Sequence, residues 1–370
     1  MEGVFDVVVI GAGMAGASTA AFLSEHFRVA LVEAEEQAGY HTTGRSAALW
    51  TANYGPPDVR LLTRLSRAFF EAPPDGFAGV PLLRHRVVLF LATAEQLPEL
   101  ERTVAEGTGL RRITVTEASR LLPALRDGYA SGAAVEEDAF DMDVSAIHQG
   151  FLRQLRSRGG VLALRSRAGR ISRVSGAWHV ETSSGAVFQA GSVVNAAGAW
   201  GDEVAAMAGV APIGLQPKRR TAAIVDPSPW DAEHWPMVLD VDEGWYARPE
   251  ARTRLMVSPA DETLSYPHDV RPEEIDVATG IDRMQQALDI EVRRVEHSWA
   301  GLRTFTPDGS LAFGWGTGQE RFFWCVGQGG YGIQTSPAAG RLAADLVLGR
   351  DPGEAAEVIG AIDPGRFHKS

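Results

Sequence analysis

Residues 5–10, FDVVVI, are apolar apart from one aspartate and rich in β-branched side chains. Such a run predicts a strand covered on both faces. Glycines at 11, 13 and 16 interrupt it. An almost uncharged stretch over 15–26 then predicts a helix, and RVALVE over 28–33 predicts a second buried strand. A strand, a helix and a strand within about 30 residues is the unit that builds a parallel sheet.

Farther on, apolar residues at 61, 62, 65, 69 and 70 put one stripe on a helix over 57–71. A Pro/Gly-rich joint follows at 72–76. The pattern predicts a strand at 87–92 and short helices at 94–106 and 117–122. Asp143 is placed to cap a helix over 144–157, which Gly159 and Gly160 would end. Alternation over 171–189 predicts antiparallel strands, turning at Ser175-Gly176 and Ser183-Ser184-Gly185. SVVNA at 192–196 returns to a buried strand, with a helix after Gly198 to about Met207. Between 211 and 300, strands alternate with Pro/Trp-rich loops and one helix near 272–288. Short strands at 311–313 and 322–326 precede a last helix over 331–348.

The two patterns interleave. β-α-β pieces lie at the start, middle and end, and antiparallel segments lie between them. The expected fold class is therefore α/β in two domains, with a mixed-sheet domain inserted into a discontinuous Rossmann-like one. The discontinuous domain is assigned 1–80, 145–210 and 300–370, and the inserted one 81–144 and 211–299.

Composition sharpens this only in part. At 370 residues the chain is long enough for about two domains. Its net charge of −12 argues against nucleic acid or an anionic membrane as partner. The single cysteine, Cys325, rules out an internal disulfide, and the first six residues carry no basic cluster. A soluble cytoplasmic protein without a transmembrane segment is expected. The histidines are scattered without ligand spacing, so no metal site is expected.

Gly11-Ala12-Gly13-Met14-Ala15-Gly16 follows a strand and opens a helix, and Glu33 ends the next strand. Gly11 permits the tight turn, Gly13 lets backbone approach a pyrophosphate, and Gly16 lets the helix sit close to the strand. The helix N-terminus faces the phosphates and Glu33 accepts from a ribose. Three further segments favour FAD over NAD: HTTGRS at 41–46, VNAAGAW at 194–200 and GQGGYG at 327–332. The first supplies hydroxyls and a cation; the other two bring backbone close to a dinucleotide. No nucleophile–base triad is evident.

Together these segments resemble the FAD-dependent D-amino acid oxidase and dehydrogenase (DAO) family, and D-arginine dehydrogenase most of all. The matching stretches are GYHTTGRSAA (39–48), SRAFFEAPP (66–74), NAAGAWGD (195–202), GLQPKRR (214–220), HSWAGLRTF (297–305) and GQGGYGIQTS (327–336). The resemblance implies a flavin domain of glutathione-reductase type with non-covalent FAD, since Gly301 stands where some relatives carry a flavin-linked cysteine. It implies that FAD is held by Gly11, Gly13, Met14, Ala15, Gly16, Glu33 and Ala34. Thr42, Thr43, Gly44, Arg45, Ser46, Ala47 and Ala48 would follow, then Ala197, Gly198, Trp200 and Gly301. Gly329, Gly330, Tyr331, Gly332, Ile333 and Gln334 would edge the ring. An electron acceptor, whether oxygen, a quinone or another, completes the cycle.

The same resemblance puts Arg220 and Arg303 on the substrate carboxylate, Tyr54 and Tyr246 in the pocket wall, and a backbone carbonyl near Gly332 on the amine. A guanidinium fork suits a carboxylate. Alternation along a strand would set Lys218 and Arg220 on one face and Arg219 on the other. Two positions depart from D-arginine dehydrogenase: Leu49 replaces a histidine, and Val88 (or Val87) replaces a glutamate that pairs with a cationic side chain. The expected reaction is oxidation of a neutral or hydrophobic D-amino acid to the imino acid and then the 2-oxo acid. The alternative is oxidation of an N-alkyl amino acid, sarcosine-like or opine-like. A flavin monooxygenase or NAD(P)-linked reductase would need a second nucleotide site, and a non-catalytic flavoprotein would keep its flavin oxidised with every amine.

Overall fold

The computed structural model describes residues 3–250 and 253–367. Three sheets organise it. The first, of eight strands, begins with Gly3–Ile10, whose inner residues Val7, Val8 and Val9 are fully buried. This strand pairs in parallel with Val29–Val32 on one side and Val187–Asn195 on the other. Val161–Ala163 extends one edge and Phe322–Val326 the other, both in parallel. Two antiparallel strands, Ala168–Val174 and Ala177–Thr182, run back along the outer half of Val187–Asn195.

The first helix, Met14–Leu23, lacks charge and is buried on nearly every side. It lies under Ser336–Leu348 and beside Val144–Ser157. A side chain at Gly340 would come 2.7 Å from Ser18 Cβ, so the helices meet with almost no spacing. Asp143 caps its helix as expected, accepting from the Ala146 N–H at 2.8 Å.

The second sheet has nine strands, drawn from 88–136 and 216–305, and is mixed. Its centre for function is the antiparallel pair Gln216–Val225 and Val295–Phe305. Lys218 faces Arg303 and Arg220 faces Gly301 across this pair. The boundary expected at 299/300 falls inside the second of these strands. A small three-stranded sheet, Leu49–Trp50, Phe140–Met142 and Leu83–His85, bridges the region between.

The helix over 57–71 forms with the bounds expected. Its innermost stripe is Val59, Leu62, Thr63, Ser66 and Phe70, because the hydroxyls of Thr63 and Ser66 bond back to the Val59 and Leu62 carbonyls. Strands at Leu110–Ile113, Gly132–Glu136 and Val161–Ala163 carry too few β-branched residues to have been anticipated. The last long helix starts at Ser336 rather than 331. Gly327 and Gly329 take left-handed backbone (φ 82° and 47°), the chain turns over 331–335, and Pro337 opens the helix. No helix among the described residues is long and apolar enough to cross a membrane.

Candidate active site

Two adjoining cavities share one wall. The larger, about 320 Å³, opens over the first glycine turn. Gly11 has φ 100°, and a Cβ on it would lie 2.5 Å from the Ala196 carbonyl oxygen. A Cβ on Gly16 would lie 1.8 Å from the Gly11 carbonyl oxygen. Main chain therefore meets main chain here. Glu33 accepts the Ala12 N–H at 2.7 Å and the Glu35 N–H at 3.0 Å, and Thr43 Oγ1 accepts the Met14 N–H at 2.9 Å. His148 Nε2 lies 2.9 Å from the Ala12 carbonyl oxygen, and burial lowers its pKa, so it holds the turn as neutral imidazole.

Most residues expected to hold the cofactor line this cavity. Gly11, Gly13, Met14, Ala15, Glu33 and Ala34 form one end; Thr42, Thr43, Arg45, Ser46 and Ala47 cover one side. Ala197, Gly198 and Trp200 face them, and Gly301, Gly329, Gly330, Gly332 and Ile333 close the other end. Gly16, buried, and Gly44, exposed, do not line it, and Tyr331 packs edge-on against Tyr54 at 5.0 Å between ring centres. Ala48 and Gln334 line the second cavity instead, the Gln334 amide donating to Thr63 Oγ1 at 2.9 Å. Arg45 lines the first cavity, yet its guanidinium is committed to Asp269 at 2.5 Å and to the carbonyls of Val270 and Ala300 at 3.0 Å. Sequence reasoning missed Ser166 and Arg167, which line the end near Glu33. They sit in an unpatterned link before a strand, so no motif announces them.

The glycine cradle, a helix N-terminus and an acceptor at Glu33 suit an ADP moiety. At the other end Gly301 leaves bare backbone opposite Arg220, and a Cβ on Gly330 would come 2.7 Å from Tyr54 Oη and 3.1 Å from an Arg303 nitrogen. A flat ring fits against such backbone. Cys325 lines neither cavity; it is fully buried beside Thr19, and burial pushes its thiol up to about 12. No thiol is placed to bond the flavin.

The second cavity, about 230 Å³, meets the first at Arg220, Tyr246, Arg303, Gly330 and Ile333. Arg303 is partly buried and donates through Nη1 to Tyr54 Oη at 2.9 Å. Burial works against its charge, but Tyr54, Tyr246 and Glu262 outweigh that and hold the guanidinium above its ordinary value. Burial likewise tends to raise the Tyr246 phenol, yet Arg303 and Arg220 prevail and lower it. Arg220 is held by Glu262 at 3.1 Å and by the Asp261 carbonyl at 2.8 Å. Lys218 also pairs with Glu262, while Arg219 turns to the opposite side and pairs with Glu273 and Asp276, as alternation requires.

Leu49 and Val88 line this cavity with Phe90, Met237 and Leu239, an apolar wall. Two acids went unnoticed in the sequence. Glu243 lines the cavity from a left-handed position (φ 57°) in the turn before Tyr246. Its surroundings raise its pKa by desolvation, against the pull of Arg220 and Arg303. Glu136 is fully buried and accepts from Thr51 Oγ1 at 2.7 Å and from the Ala52 N–H at 3.1 Å. It fixes the segment leading to Tyr54, and burial raises its carboxyl. No cluster of three metal-ligating side chains occurs among the described residues.

The sequence profile described as FAD dependent oxidoreductase, DAO, matches residues 6–346. A glycine oxidase from Pseudomonas aeruginosa is 28% identical over 94% of this chain and 95% of its own. The crystal structure of glycine oxidase from Geobacillus kaustophilus superposes with a TM-score of 0.81 at 24% identity, over 94% of this chain and 95% of the other. That of L-proline dehydrogenase from P. horikoshii gives 0.85 at 20% identity, over 100% and 99%. These relatives are not D-arginine dehydrogenases, the member the motifs single out; the likeness they establish is to the family.

Proposed function

Because this chain belongs to the DAO family of FAD-dependent oxidoreductases, we propose that it oxidises the carbon–nitrogen bond of a small amino acid whose carboxylate is clamped by Arg303. One observation carries this reading: the second cavity presents Arg303, Arg220 and Tyr246 on the wall it shares with the first, and Tyr54 bonded to Arg303 beside them. FAD, when bound, accepts the hydride that leaves the α-carbon. The nitrogen lone pair becomes the C=N bond, and water then releases the 2-oxo acid and the amine.

This chain's own residues orient and exclude. The Arg303 fork binds both carboxylate oxygens, and its cationic state is secured by its surroundings. Tyr54 already accepts from Arg303, so its own O–H is free to donate to the same carboxylate. Tyr246 adds a second phenol beside it. Gly332, on the first cavity, supports a backbone acceptor for the amine. Binding in this way fixes the α-carbon toward the ring position, and orientation is the main contribution asked of the protein.

Leu49, Val88 and Phe90 support an uncharged substituent near the reacting carbon. Glu243 does not call for a cationic substrate, because Arg220 and Arg303 already oppose its charge. The preferred substrate is a D-amino acid with a neutral side chain; an N-alkyl amino acid is the second reading, favoured by room beyond the shared wall. Anaerobic flavin reduction by a panel of D-, L- and N-alkyl amino acids tests both. D-Leucine or D-phenylalanine should bleach the flavin faster than D-arginine, and the reverse order would remove the argument from Leu49 and Val88.

A further inference from the structure

Seven charged side chains reach the two cavities' shared wall or the walls of the second cavity: Arg60, Glu99, Arg102, Glu106, Arg220, Glu243 and Arg303. Most are matched. Arg102 pairs with Glu99 and with Glu106, and Arg220 pairs with Glu262. Glu243 lies in the field of Arg220 and Arg303. Among the described residues Arg303 hydrogen-bonds to the phenol of Tyr54 and to no acid, and it is the cation assigned to the carboxylate.

Arg60 is the other exception. It stands in the first turn of the Pro57–Glu71 helix. Its Nε–H donates to the Gly55 carbonyl at 2.7 Å. Among the described residues no acid lies within ion-pair distance of it. Arg60 lines the second cavity, and among the described residues its Nη groups make no hydrogen bond or ion pair. The Nε bond fixes the plane of the guanidinium and leaves its outer edge, two parallel N–H groups, for an anion. That edge matches a carboxylate in a bidentate pair.

We infer that Arg60 holds a second carboxylate of the substrate, so that the enzyme acts on an amino acid bearing two carboxylates, one on Arg303 and one on Arg60. This rests on the amino acid oxidation proposed above: a second carboxylate on nitrogen keeps the neutral side chain of that reading, and one on the side chain replaces it. The second carboxylate is carried on the nitrogen substituent or on the side chain, and the apolar wall of Leu49, Val88 and Phe90 accommodates the carbons between.

The test uses the FAD-loaded protein and unreactive anions first. Glutarate should perturb the flavin absorbance at a concentration about tenfold or more below that needed for butyrate. Arg60→Gln should abolish this advantage, and Arg60→Lys should retain part of it, since a cation remains. Equal affinities in the unmodified protein, no perturbation by either anion, or equal weakening of both in Arg60→Gln would overturn the inference. The last result is what a residue that only holds the Gly55 carbonyl would give. Anaerobic reduction by iminodiacetate and D-glutamate, against sarcosine and D-alanine, then identifies the carrier. Faster reduction by iminodiacetate assigns the second carboxylate to nitrogen, faster reduction by D-glutamate assigns it to the side chain, and reduction by sarcosine or D-alanine with no advantage for either dicarboxylate overturns the inference. If no amine reduces the flavin while the glutarate preference and its loss in Arg60→Gln persist, the oxidation reading fails and the anion subsite stands.

Discussion

At the first glycine turn the cavity wall is main chain: Gly11, Gly13 and the opening of the Met14–Leu23 helix, fastened by Glu33 and Thr43. In the second cavity it is side chain: Arg220, Arg303, Tyr54 and Tyr246, brought from four segments that are far apart in sequence. Backbone walls are specified locally, by which residues lack a Cβ. Side-chain walls are specified by register and by neighbouring charge. At Gly11 and Gly16 the first kind leaves no room for a side chain, whereas the second can be altered one contact at a time.

Four substitutions sharpen that contrast, in falling order of effect. Gly16→Ala forces a Cβ to 1.8 Å from the Gly11 carbonyl, so the purified protein should carry no flavin. Full flavin absorbance in this variant would break the distinction at its stronger side. Arg303→Met should keep the flavin but slow its reduction by the best amino acid, lowering kcat/KM by about 10² to 10³-fold. Stopped-flow reduction checks it, and an unchanged rate would remove the clamp. Tyr54→Phe deletes one bond to a charged group and should cost about tenfold in the same measurement.

The smallest effect concerns Glu136. Burial raises its carboxyl in the folded state. Its favourable share of stability is complete below the ordinary glutamate range and is lost as pH rises through the raised value. Glu136→Gln keeps an oxygen acceptor for Thr51 and cannot ionise. The melting-temperature difference, variant minus parent, should therefore widen from acid to neutral pH. A difference that stays flat across a calorimetric pH series would contradict the raised value.

The backbone wall was legible in the sequence because glycines, flanking strands and Glu33 stand at fixed local spacing. The strand carrying Arg220 was legible too, since alternation alone separates it from Arg219. Other parts were not. Glu243 and Arg60 gain meaning only from what surrounds them: one sits in a turn, the other in an ordinary amphipathic helix. Arg45 reads from sequence as a phosphate ligand, but tertiary contacts give its guanidinium to Asp269 and two carbonyls. The start of the last helix was misplaced because the left-handed Gly327 and Gly329 lead into a turn over 331–335, which an apolar pattern does not report.

The pairing of Gln216–Val225 with Val295–Phe305 couples two features of the cavity wall. Arg220 faces Gly301 on one rung, and Arg303 stands two residues further along. A slip of one residue would send a guanidinium to the helix side and fill the bare rung at once. The guanidinium positions and the bare rung are thus set together by one register. The walls supplied by Leu49, Val88 and the helix that bears Arg60 lie outside that register and can change without disturbing it.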